Sequence, residues 1–280
     1  MQSLAQIKRH LDERGLAPRH RLGQNFLIDH NLIRKLVDAA GVGPGSLVLE
    51  VGPGTGTMTE ELLERGCRVV ACELDAGLAA LLRELIGHGP HADRFTLVEG
   101  DCLETKRRVS GTVLRELAGR PFKLVSNLPY AAATPLITTL LASHPECPLL
   151  AVTIQREVGD RLAGGPGSKD YGPLSVIAQS MATIEPVATL PPECFWPRPD
   201  VTSAMVLLRR RERPLTDDVA GLAQTCQRLF AQRRKQIRWF LGKNAAWPAG
   251  IEPHMRAEEL TPEQLIVLSK LAKPAPDEAD

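Results

Sequence analysis

The sequence lacks the features that mark membrane, secreted and metal-binding proteins. Its 280 residues contain no run of about eighteen or more apolar residues, so no transmembrane helix is expected. The opening stretch, MQSLAQIKRHLDERG, has no apolar core of the kind signal peptides carry, which makes a cytoplasmic protein the expectation. Six cysteines (Cys67, Cys72, Cys102, Cys147, Cys194 and Cys226) form no Cys-x-x-Cys and no metal spacing with the histidines. They read as reduced, mostly buried small residues, and no metal is expected. There is no internal repeat, and low complexity is confined to the Pro/Asp/Glu tail after Lys273. With 43% apolar and 24% charged residues, the chain is an ordinary globular one, long enough for one large domain and a smaller one.

Net charge is only +1, but it is unevenly spread. Residues 203–243 carry ten Lys/Arg against three acids, residues 1–35 seven against three, and the chain from Ile251 onward three against seven. Two basic zones around a near-neutral centre fit a polyanion footprint, and they fit a pair of solvated helix faces equally well.

From Leu47 to Leu208 short apolar runs alternate with helical patterns. The runs are 47–51, 68–74, 95–100, 122–127, 149–155, 184–190 and 201–208. Continuous apolar strands separated by helices predict a mostly parallel seven-stranded sheet covered on both faces. Only 191-PPECFWPRPD-200 joins the last two runs, which suits an antiparallel pair at the sheet edge. Beyond Pro214 the windows 217–242 and 261–272 read as helices, the second opened by Thr261 and Pro262. The expected division is a catalytic domain over 1–212 with a basic N-terminal segment, and a helical C-terminal domain over 213–280.

The first strand runs straight into 50-EVGPGTG-56. Gly52, Gly54 and Gly56 let the backbone turn sharply and approach a ligand lying over the strand end. Thr57 occupies the place where a dinucleotide fingerprint wants glycine or alanine. Downstream, Glu73 ends the second strand, placed to accept from ribose hydroxyls, and Asp101 follows the third, placed to accept from an adenine amine. With Glu50 these acids suit a cationic nucleoside without phosphate, and S-adenosylmethionine has that character.

The order GQNFL (23–27), EVGPGTG (50–56), ELD (73–75), GD (100–101) and NLPY (127–130) resembles the ribosomal RNA adenine N6,N6-dimethyltransferases, and within them the bacterial small-subunit branch. The likeness continues through 155–176, 195-FWPRPDVTSA-204 and 233-RRKQIR-238. It implies a Rossmann-like S-adenosylmethionine-dependent methyltransferase fold and dimethylation of two adjacent adenosines in the 3′-terminal hairpin of small-subunit rRNA. It also implies a monomer whose partner is that RNA or a precursor of the small subunit. Cofactor contacts fall on Asn25, Leu27, Gly52, Glu73, Asp101 and Asn127; Asn127, Tyr130 and Phe195 surround the target base. Arg233, Arg234, Lys235 and Arg238 would grip phosphates. Two departures stand out. Ala131 and Ala132 replace the family's common Asn or His and aliphatic residue, and Trp239 replaces a small polar one.

The chemistry fits these residues. An adenine amine is a poor nucleophile because its lone pair is delocalised into the ring. Acceptors at the Asn127 side-chain oxygen and the Leu128 or Pro129 carbonyl would localise that pair and aim it, so orientation replaces a strong base. Pro129 fixes φ and removes a competing donor, and Tyr130 offers a stacking face. The base must be flipped or unpaired to enter. The loop around Gly164, Gly165, Gly167, Lys169 and Tyr171 reads either as an RNA contact or as a surface connection. The rivals are the large-subunit resistance methyltransferases, a non-catalytic binding protein and, weakest because Thr57 breaks its fingerprint, a nucleotide-dependent dehydrogenase. The SKDYG and FWPRP stretches favour the small-subunit branch, and an intact Asn-Leu-Pro-Tyr with Glu73 favours catalysis.

Overall fold

The computed structural model describes residues 1–242 and 245–271. Lys243, the end of the expected 261–272 helix and the acidic tail after Lys273 lie outside the described residues. The chain divides into two compact units, residues 1–159 with 185–210, and residues 160–184 with those from 211 onward. Residues 160–184 and 211–212, expected in the catalytic domain, fall in the second unit.

The main sheet has seven strands, β1 (Leu47–Val51), β2 (Arg68–Glu73), β3 (Phe95–Glu99), β4 (Lys123–Asn127), β5 (Leu149–Gln155), β6 (Ala182–Leu190) and β7 (Ser203–Arg210), of which all but the first three residues of β6 fall in the larger unit. Their spatial order is β3-β2-β1-β4-β5-β7-β6. The first five pair in parallel, and β7 returns antiparallel beside β5. β7 starts two residues later than its sequence pattern implied. The Thr202 carbonyl instead accepts from the Arg156 N–H just beyond the β5 register.

Helices α1 (Leu4–Asp12), α2 (His30–Ala40), α3 (Thr57–Glu64), α4 (Ala76–Leu85), α5 (Gly111–Leu117) and α6 (Tyr130–Ser143) cover the sheet, and α7 (Arg156–Ala163) follows β5. Alternation along the strands shows why both faces are covered. Val48, Val69, Ala71, Val125, Leu149, Ala151, Met205 and Leu207 join one core with Ile33, Leu36 and Val37 of α2 and Leu62 and Leu63 of α3. Their strand neighbours Leu49, Val70, Leu124, Leu150, Val206 and Leu208 point the other way and are equally buried. β6 is exposed or half-buried except at its two buried ends and contains Pro186, as an edge strand can. Asp29 and Asp75 cap α2 and α4 by accepting from the N–H groups of Asn31 and Gly77, each at 2.9 Å.

The smaller unit gathers α8 (Pro173–Met181), α9 (Val219–Phe230), α10 (Arg238–Leu241) and α11 (Pro262–Leu271). Its core contains Val176, Leu222, Cys226, Leu229, Ile237, Phe240, Leu265 and Leu268. The 217–242 window is not one helix. The buried stripe Leu222, Cys226, Leu229 would continue onto Arg233 and Gln236, which cannot be buried cheaply. The chain therefore turns after Ala231, with tight bonds from Arg233 N–H to the Phe230 carbonyl and from Lys235 N–H to the Gln232 carbonyl. A fresh turn then buries Ile237 and Phe240.

Candidate active site

Strand order reverses between β1 and β4, the place in an open α/β sheet where a crevice forms above the strand ends. The Ser126 hydroxyl donates to the Val51 carbonyl at 2.5 Å and ties the two ends together. Above them opens a cavity of about 490 Å³, whose lining includes Asn25, Leu27, Gly52, Glu73, Asp101 and Asn127. Gly54, Pro129 and Tyr130 line it too; Gly56 and Phe195 do not.

The glycine loop touches the Asn-Leu-Pro-Tyr turn. Gly52 has φ +71°, and a Cβ there would lie 2.8 Å from Pro129 Cγ. Glycine is the residue that accepts both conditions. The Gly54 N–H donates to Glu73 Oε2 at 3.1 Å, so the loop is held by the same acid that faces the cavity. Gly56 is different. It caps α3 and packs down on the side chains of Leu82 and Ile86, a Cβ there falling 2.6 Å from Ile86 Cδ1. Its expected cofactor contact is replaced by helix packing.

The acids differ in state. Glu73 is 5% exposed and accepts the Asp75 N–H through Oε1 at 2.9 Å. Burial raises its pKa, opposed by the N–H donors of Asp75 and Gly54. Glu50 is fully enclosed, and burial, with a lesser push from the Glu73 charge, raises its pKa to about 8. The Thr59 hydroxyl donates to Glu50 at 2.7 Å and offsets part of that. Enclosure thus favours the protonated form of Glu50. Asp101 is exposed, its Oδ1 accepting the Leu103 N–H at 2.9 Å.

Asn127 ends β4. Its amide nitrogen donates to the Asn25 carbonyl at 3.0 Å, which leaves the amide oxygen as the free acceptor. The Leu128 N–H is used by the Thr153 carbonyl at 3.1 Å. Pro129 caps α6, and its carbonyl already accepts from Ala132 and Ala133 at 2.9 and 3.2 Å. Of the two backbone acceptors expected for the amine, this leaves the Leu128 carbonyl. The small side chains of Ala131 and Ala132 line the cavity where the helix begins. The Tyr130 hydroxyl shares a hydrogen bond of 3.0 Å with Ser203 and its pKa is raised by burial, so the ring is fixed at its far end.

Phe195 requires a correction. It is 2% exposed and belongs to the main core, opposite Leu27 in a short antiparallel ladder that also pairs Phe26 with Trp196. Its ring fills the core and presents no face to a base. The basic residues divide as well. Arg233 pairs with Glu258 and donates to the carbonyls of Ser168 and Lys169, each at 3.0 Å, so it holds the 164–172 loop. In that loop Tyr171 is buried, its hydroxyl donating to the Leu260 carbonyl at 2.7 Å and its ring set edge-on to Phe230. Arg234, Lys235 and Arg238 are exposed.

The family model for ribosomal RNA adenine dimethylase matches residues 15–273. The chain belongs to the ribosomal RNA adenine dimethylase family. A ribosomal RNA small subunit methyltransferase A of Phenylobacterium zucineum is 40% identical over 263 residues, covering 92% of this chain and 89% of that protein. Among solved structures, a dimethyladenosine transferase from Plasmodium falciparum superposes with a TM-score of 0.73 at 20% identity, covering 87% of this chain and 95% of that one. The 23S rRNA methyltransferase ErmE gives 0.64 at 25% identity, covering 89% and 99%. The Rossmann-like fold expected from the sequence is the one found.

For a dimethylase the cavity contains residues that sequence reasoning passed over. Phe26 lies against Gly54 and is stacked at 6.2 Å on Trp196, so the loop rests on an aromatic ring. It stands within the GQNFL motif, beside the two residues that were singled out. Leu74 is 54% exposed on the cavity wall directly after Glu73. Leu74 thus presents an apolar surface to the cavity beside the Glu73 carboxylate. No polar signal in the sequence marks it.

Proposed function

We propose that the chain dimethylates the N6 amines of two adjacent adenosines in the 3′-terminal hairpin of small-subunit rRNA, acting as a cytoplasmic monomer on that RNA or a precursor particle. S-adenosylmethionine, when bound, supplies an electrophilic methyl group. The cavity suits it: the glycine loop lets the backbone come close, Glu73 and Asp101 line the wall, and the volume lies in the range of small-molecule sites. Glu73 and Asp101 would take the ribose hydroxyls and the adenine amine, with Leu74 against the base.

One observation carries the reading. Asn127 stands at the reversal of strand order with its amide nitrogen already committed to Asn25, so its oxygen is an oriented acceptor. That oxygen and the Leu128 carbonyl hold the two N–H bonds of the unmethylated amine, and one of them holds the single N–H left for the second transfer, so the lone pair is localised each time. Tyr130, tethered to Ser203, stacks on the base. The methylated nitrogen passes its surplus proton to water. Catalysis belongs to the sheet-containing part, and the helical C-terminal part holds RNA phosphates through Arg234, Lys235 and Arg238. The small-subunit choice over the large-subunit one is supported by relatives such as the 40% identical small-subunit enzyme.

The test is incubation with labelled S-adenosylmethionine and unmethylated small or large ribosomal subunits, followed by mapping of the labelled base. Label at adjacent adenosines of the small subunit is expected. Label confined to the large subunit would overturn the substrate, and no label at all would point to a binding protein.

A further inference from the structure

Within the smaller unit, the stretch from Val219 to Ile251 contains no Asp or Glu, while Arg228, Arg233, Arg234, Lys235 and Arg238 all fall inside it. At its centre is an aromatic residue that the core does not use. α10 is one turn long, and Ile237 and Phe240, three residues apart, turn inward at 1% and 8% exposure. Helical spacing therefore sends Arg238 and Trp239 outward. Trp239 is 36% exposed.

The turn is held firmly. The Ile237 N–H donates to the Met255 carbonyl at 2.8 Å and the Arg238 N–H to the Pro253 carbonyl at 3.0 Å. A bridge pairs Gln236 with Arg256, which brings another exposed base beside the patch from a distant part of the chain. The indole sits at 86° to the Phe240 ring with centroids 5.7 Å apart, and the Arg228 guanidinium lies 4.8 Å from the Phe240 centroid. Edge-on contact with Phe240 leaves an indole face open. A large apolar side chain left a third exposed gains less for folding than a buried one, and a backbone turn already fixed lowers the cost of engaging a flat ligand.

We propose that Trp239 is a stacking platform for an unpaired base of the RNA, framed by Arg234, Lys235, Arg238 and Arg256 on the flanking phosphates. A net positive patch, four bases against the exposed Glu252 and Glu259 of the paired segment, selects a polyanion, and a part-exposed indole selects one with exposed π faces, which single-stranded or looped RNA has and a duplex flank does not. This rests on the proposed ribosomal RNA substrate. It assigns a role to the tryptophan that stands where the family commonly has a small polar residue.

The experiment measures affinity for the unmethylated small subunit across a salt series, for the wild-type protein, W239A, W239F and R238A. Stacking releases no counterions, whereas each phosphate contact does. W239A should bind roughly 5- to 100-fold more weakly with an unchanged salt slope, and W239F should recover most of the loss. R238A should reduce the slope by about one. RNA should also quench the wild-type emission more than that of W239F, a readout that needs only the conservative variant to fold. The proposal is overturned if W239A stays within twofold of wild type, if its loss comes with a lowered slope, or if W239F is as weak as W239A. Failure of the substrate reading is separate: the wild-type protein itself would then not bind the particle.

Discussion

Gly52→Ala is the sharpest perturbation of the site, because two independent costs meet at one atom. The residue has φ +71°, a region that costs a residue with a Cβ about 1–2 kcal/mol. The new carbon would also stand 2.8 Å from Pro129 Cγ and 3.0 Å from its Cδ, inside any relaxed contact. A proline ring cannot rotate away as a flexible side chain would, and overpacking of this kind costs about 1–3 kcal/mol. The expected sum is about 2–5 kcal/mol. Gly45→Ala isolates the first cost, since Gly45 has φ +82° and nothing within 4 Å of a built Cβ. Urea unfolding of both variants and the wild type gives the difference, and methyl transfer is measured on each. If the loop holds its shape, G52A loses about 1–3 kcal/mol more than G45A. If the turn yields instead, Pro129 moves with Asn127, and transfer falls in G52A alone. A G52A protein as stable as G45A and equally active would refute the contact between loop and turn.

Glu50 sets a pH dependence. Its pKa is about 8 in the folded protein against an ordinary 4.5, so the native state keeps a proton that the unfolded chain loses. Its contribution to stability is fully present below pH 4.5 and is lost as pH rises through the folded value, at up to about 1.4 kcal/mol per unit. Glu50→Gln keeps an acceptor for Thr59 and removes the titration, so its stability relative to wild type should grow across that window in urea unfolding; parallel profiles would refute the assignment. Asn127→Ala should lower transfer by about 100-fold or more with RNA affinity nearly unchanged, checked by single-turnover label transfer. Survival of activity within a few-fold would sink the orientation argument. Arg233→Ala should destabilise the smaller unit by about 1–3 kcal/mol through lost bonds to Glu258, Ser168 and Lys169, with little effect on the salt slope of RNA binding. Arg234→Ala should do the reverse, and a slope change in the first variant would restore Arg233 to the RNA surface.

Much of this protein was legible in its sequence because the signals are local. Buried parallel strands are continuous apolar runs, and β1 to β5 read that way. The glycine loop, Glu73 and Asn127 announce themselves by sitting at strand ends, since a sheet that reverses its order has only those ends to offer a ligand. What the sequence could not settle depends on neighbours distant along the chain. Phe195 and Phe26 are both aromatic residues in motif-like stretches, yet the Phe26–Leu27 ladder with Phe195–Trp196 puts Phe26 on the cavity and Phe195 in the core. Arg233 and Arg234 are adjacent and chemically alike, but Glu258 claims only one of them. Gly56 looks like Gly52 and Gly54 until Leu82 and Ile86 are packed under it. The charge of Glu50 follows from enclosure by other strands and helices, which composition does not encode. The sequence alone determined which strands form and which chemistry ends them. Tertiary packing decided which side chains remain free to use it, because burial and partnership are properties of the assembled fold.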